Sequence, residues 1–238
     1  MKPASQTLKT ELQKLTAIVG LLYEYSEHTD ENPQLQSAAF DASSFVANKR
    51  GTPTEPAQIQ ERIDQAVNII DSFCRPYARY IEAIDVPEVS QAAQDAAKLL
   101  QDKYPEQAIW ASLAAIRTAG YDHTSIEDTR SFTVASDFLI LADALVKKGQ
   151  LTEGTIGATL LHVLPDVAIA ANNEGIEEAA GEMWENCARA MLAVPGMRNN
   201  VIQAIAHLED IQYSESDPRP VFTAQTAALI RKLGTHDV

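Results

Sequence analysis

Apolar residues recur at three- and four-residue intervals along nearly the whole chain, and no convincing run alternates apolar with polar residues between turn signals. A chain with that pattern cannot place a strand with one face buried. It can bury helix faces, so the spacing predicts an all-α protein. Its 238 residues suffice for a sizeable core without disulfides or metal staples. The expected architecture is a compact multi-helix bundle of roughly nine to ten helices. A short helical-repeat solenoid is the alternative, because helix pairs recur at an interval of about 35 to 50 residues; no repeated signature accompanies that interval.

The first seam is Leu8, Leu12, Leu15, Val19 and Leu22, at four-three-four-three spacing, with the helix expected to end near His28. A second helix, from Pro33 to about Asn48, should bury Leu35, Ala39, Ala42 and Val46 and pair with the first as a hairpin. Residues 1–50 thus read as an N-terminal helical hairpin packed on the main body. Residues 51–56, Gly-Thr-Pro-Thr-Glu-Pro, read as a linker or loop, and 57–238 as the main helical domain.

The third helix carries Ile59, Ile63, Ala66, Val67, Ile70 and Phe73, and Pro76 should kink or interrupt it. Helices follow from Pro87 to about Lys103 and from Pro105 to about Ala119, with Gly120 as C-cap. One opening near Ser125 should close before Gly149, and four more are expected between Thr152 and Leu233. Alanine occurs 36 times, which lowers the side-chain entropy lost in helices and permits close helix approach.

Function is harder to read. The chain lacks the P-loop, dinucleotide, zincin, nucleophile-elbow and EF-hand patterns, which favours a non-enzymatic protein without a cofactor. Cys74 continues the apolar series of the third helix and Cys187 falls between Met183 and Met191, so both read as buried hydrophobes. His123 with Glu127, His162 with Asp166, and His207 with Asp210 each set an acid about one helical turn after a histidine. Without the Glu-x-x-His pairs of di-iron bundles, these read as local surface pairs.

Two places could form a ligand pocket. His162 and Asp166 flank Pro165, whose missing N–H frees a carbonyl in an apolar helix. Arg75 and Arg79 follow Asp71 at four-residue intervals beside Phe73, Tyr77 and Tyr80, and could receive a carboxylate or phosphate. The competing reading of the second group is an ion-pair ladder over a packed aromatic edge.

Charge distribution is more informative. The net charge is −14, and residues 151–217 hold eleven acids against Arg189 and Arg198, a net −9. Within that segment Glu174, Glu178, Glu182 and Glu185 would form one stripe on a helix whose other side carries Ile176, Ala180, Met183, Cys187 and Met191. Repulsion along the stripe costs an isolated helix about 0.2–0.5 kcal/mol per pair, so a basic protein surface that docked there would relieve it.

The expected function is a helical interaction protein that binds a basic macromolecule through this acidic surface, with an inhibitor of a basic site as a special case. Direct binding to nucleic acid is disfavoured by the charge. A helical enzyme or ligand binder is the rival, and a self-associating scaffold built on the Leu8–Leu22 seam is the third reading. No apolar run approaches the roughly 20 residues that span a bilayer, and the polar N-terminus lacks a signal-peptide apolar region. A soluble cytoplasmic protein is expected, with export by a route that uses no cleaved signal still open.

Overall fold

The structure is a computed structural model that describes residues 4–26, 32–48, 53–79 and 86–118, together with short stretches within 137–149 and 228–232. All regular structure among the described residues is helical. The chain divides into two compact units, 1–80 with 84–118, and 81–83 with 119–238. The first contains α1 (Ala4–Glu24), α2 (Pro33–Ala47), α3 (Pro56–Arg79), α4 (Pro87–Leu100) and α5 (Pro105–Arg117). The 51–56 segment falls inside this first unit.

Proline and asparagine set the helix starts. Pro33, Pro56, Pro87 and Pro105 each open a helix, where a missing N–H costs nothing because the first turn has no intrahelical acceptor for it. Before α2, Asn32 Oδ1 accepts from the backbone N–H groups of Gln34 and Leu35, at 2.9 and 3.3 Å.

α3 is the spine of the unit. It packs against α1, α2 and α5, and the predicted stripe Ile59, Ile63, Ala66, Val67, Ile70 and Phe73 is buried, joined by Cys74 and Tyr77. Pro76 does not interrupt the helix, one of the two outcomes the sequence offered: α3 continues through it to Arg79. The proline lies in the last turn, and the carbonyl it leaves without an intrahelical donor belongs to Ser72, an exposed residue that water can reach.

α1 lays Leu15, Ile18, Val19 and Leu22 into the core, against α3 first and also α4 and α2. Three of the five leucine-seam residues are therefore fully buried within one chain, while Leu8 and Leu12 are half-buried. A second copy could not use this seam as a contact without displacing α3. The helix stops at Glu24, short of His28, where Ser26 Oγ donates to the carbonyl of Tyr23. α2 pairs with α1 as expected, but its buried face is Leu35, Ala38, Ala42 and Phe45. Ala39 and Val46 are half-buried, because turning the helix to sink the large Phe45 ring brings Ala38 inward with it.

α4 and α5 form an antiparallel pair with the broadest helix contact in the unit. Val86 N–H donates to the Thr118 carbonyl at 3.1 Å and Ser90 Oγ to the Ala115 carbonyl at 2.8 Å. That register sets Ala93 and Ala97 level with Ser112 and Ala108. Small residues at these levels allow the axes to approach closely. Both helices end slightly before their sequence-read limits: α4 gives way to a turn at 101–103, and Thr118 caps α5. α4 touches α1 more than its chain neighbour α3, a long-range contact that suits a bundle better than a stacked repeat array in this unit.

In the second unit, the described residues between Asp137 and Leu145 are helical, with Phe138, Leu141, Ala142 and Leu145 buried. Gly149 lies in a turn at φ 64°, in the left-handed region that favours glycine. Among the described residues no helix is long and apolar enough to cross a membrane.

Candidate functional site

Three polar constellations stand out on the first unit. The first is built on Arg75. Asp71, one turn earlier on α3, accepts from Arg75 Nε at 2.6 Å, and Glu106 in the first turn of α5 accepts from Nη2 at 3.1 Å. The guanidinium carbon lies 4.8 Å from the centre of the Trp110 ring, in cation–π range. Burial works against the Arg75 charge, but the bonds to Asp71 and then Glu106 more than offset it and raise its pKa further. Trp110 is buried beneath it.

This group carries two carboxylates and one guanidinium, so its net charge is −1. An anionic ligand would meet two carboxylates beside the guanidinium, and their charge works against it. What the arrangement does chemically is fasten α5 to α3 over an aromatic floor, which is the ion-pair ladder weighed in the sequence, extended to a second helix. Arg79, its companion in the sequence reading, is the last residue of α3. Cys74 lies under the same turn with no exposed surface. Burial, and then the charge of Asp71, push its thiol pKa far up, so it stays protonated and unreactive.

The second constellation joins α3 to the α4–α5 turn. The Tyr104 hydroxyl donates to Asp64 Oδ1 and accepts from Gln60 Nε2 at 2.9 Å, while Gln60 Nε2 also donates to Asp64 Oδ1 at 2.9 Å. Burial and the Asp64 bond push the Tyr104 pKa up to about 12. Beside it Lys103 Nζ pairs with Glu11 of α1 at 2.7 Å. Sequence reading passed over this cluster. The Gln60–Asp64 pair at i, i+4 was its only visible signal, and Tyr104 is far away in the chain.

The third is an open cleft of about 330 Å³ between α2 and α3, walled by Asp41, Ser44, Asn48, Arg62, Gln65 and Asn68 over Phe45 and Ile69. Arg62 stacks 4.0 Å from the centre of the Phe45 ring. Its Nη2 donates to the carbonyls of Phe45 (2.7 Å) and Asn48 (3.2 Å), and Nη1 to Gln65 Oε1 (3.1 Å). α2 has no basic residue in its own last turn, so Arg62 supplies from α3 the positive charge that a helix C-terminus favours.

The remaining site residues named from the sequence lie outside the described residues: Glu174, Glu178, Glu182 and Glu185, and the His162–Asp166 pair. So do Cys187, His123 and His207. Among the described residues no three His, Cys, Asp or Glu side chains are grouped to hold a metal ion. Comparison with protein-family models, with curated proteins and with solved structures finds no match to this chain.

Proposed function

We propose that the chain is a helical interaction protein whose acidic C-terminal half binds a basic macromolecular surface. The observation that carries this reading is the concentration of charge: residues 151–217 hold a net −9, and no Lys or Arg occurs between Lys148 and Arg189. A local field of one sign speeds encounter with an oppositely charged partner and penalises wrong ones. Glu174, Glu178, Glu182 and Glu185, on a continuous helix, make the stripe that faces the partner. Within this reading the further helices of residues 125–233 complete a bundle of nine to ten, and the stripe lies on the eighth or its neighbour. Arg75 gives the rival ligand-binding reading little support, because its guanidinium already meets Asp71 and Glu106.

The test is affinity capture from native lysate by wild type and by a variant with Glu174, Glu178, Glu182 and Glu185 changed to Gln, at low and moderate salt. The expected outcome is a partner held by wild type, released by moderate salt and lost from the variant. Identical captures by the two proteins would end the stripe as a docking surface.

A further inference from the structure

α2 lies at the edge of the first unit, with α1 and α3 as its main neighbours, and it has an unusual outer face. Its fifteen residues include a single charged side chain, Asp41. The residue before it, Phe40, is 73% exposed, the most of any large apolar side chain among the described residues. Ser44, one helical turn after Phe40, lines the α2–α3 cleft, so the phenyl ring stands at the rim of that cleft. A protruding aromatic ring thus adjoins a hollow floored by Phe45 and Ile69.

Ring and hollow on the same surface are self-complementary under a two-fold axis. We propose that a second copy of this chain docks here, with Phe40 of each protomer entering the cleft of the other. Two properties favour a second copy over another occupant. The chain carries −14, so two copies repel over much of their surface, and among the described helices α2 carries the fewest charged side chains. The cleft walls also carry both signs. Among the described residues Asp41 makes no ion pair, and Arg62 keeps two of its five N–H groups beyond the three bonds it donates to Phe45, Asn48 and Gln65. An isologous contact brings Asp41 of one protomer toward Arg62 of the other, twice.

A helix of fifteen residues is about 22 Å long, so the contact belongs at the small end of specific interfaces and the dimer is weak. The acidic stripe plays no part in it, and the Glu→Gln variant described above is expected to dimerise at least as well as wild type.

Sedimentation velocity of the full chain from low to high micromolar concentration tests the proposal, with Phe40→Ser and Leu21→Ser alongside. Leu21 is a second exposed apolar residue, on α1, and is 41% exposed. The expected result is a wild-type average mass rising toward that of a dimer. Phe40→Ser should shift the midpoint by about tenfold or more, and Leu21→Ser should leave it in place. Circular dichroism that matches among the three proteins shows that the fold is kept. A wild type that stays monomeric throughout overturns the proposal, and so does a Phe40→Ser protein that associates as wild type does.

Discussion

The two helix pairs of the first unit solve the same packing problem differently. α4 and α5 meet through small residues: Ala92, Ala93, Ala96 and Ala97 on one helix and Ala108, Ala111, Ala114 and Ala115 on the other are all buried. Backbone groups take part directly, through the Val86–Thr118 and Ser90–Ala115 bonds. α2 meets α3 through larger groups and a side-chain clasp, with Arg62 reaching over Phe45 to the carbonyls at the end of α2. The first arrangement leaves almost no room for substitution. The second leaves a cleft and an exposed ring. Close-packed small residues fix a core, and a clasped peripheral helix leaves surface that another molecule can use.

The largest expected effect comes from removing the aromatic floor that α5 shares with α3. Trp110 is 1% exposed and sits under Arg75. Trp110→Ala should cost about 3–5 kcal/mol in urea unfolding, through lost burial and the cavity left behind. A loss below about 1 kcal/mol would mean that α5 is not held as described. Next is overpacking of the alanine seam. Ala108 is fully buried, and Ala108→Leu adds three carbons where the register allows none, at about 1–3 kcal/mol. If Ala108→Leu were neutral, the close approach of α4 and α5 would be wrong.

The clasp should break at smaller cost and in one place. Arg62→Met keeps an apolar stem of similar length but removes three hydrogen bonds and the guanidinium stacked on Phe45. About 1 kcal/mol is expected, seen as faster amide exchange in the last turn of α2 with α4 and α5 unchanged. Uniform acceleration across all five helices would show instead that α2 is integral to the core.

How much of this was legible differs between the two pairs for a physical reason. Helix identity and the α3 stripe follow from periodicity, since a 3.6-residue repeat of Ile, Val and Phe has one way to be buried. The rotation of α2 did not, because the small residues Ala38, Ala39, Ala42 and Ser43 give nearly equal faces, and the ring of Phe45 decides among them only once α3 is present. Pro76 read as a kink or an interruption because the sequence shows the lost donor and not that Ser72, the residue it would have bonded, is exposed near the helix end. At the site, Asp71 with Arg75 was visible as a four-residue pair, whereas Glu106 and Trp110 come from a helix about thirty residues away. Arg62 gave little signal, since two of its three bonds go to backbone carbonyls, which every residue has, and the ring it stacks on lies on another helix.

The smallest effect is a titration, and it probes the turn where the α4–α5 pair is tied to α3. Tyr104 is expected to ionise near pH 12, because burial and its bond to Asp64 both disfavour the phenolate. Tyrosine absorbance followed against pH should show a step near pH 12, and Tyr104→Phe should remove that step. The sign follows from the direction of the shift. The folded state holds this proton more tightly than the unfolded chain, so the stabilisation is complete below pH 10 and is lost as the pH rises from 10 through 12. Tyr104→Phe should therefore flatten the alkaline fall in stability over that window and leave the acid side unchanged. Amplitude lost near pH 10 instead of near 12 in Tyr104→Phe would place the phenol in free solvent and remove the tie between α3 and the α4–α5 turn, leaving the alanine seam and the Arg75 group to hold α5 alone.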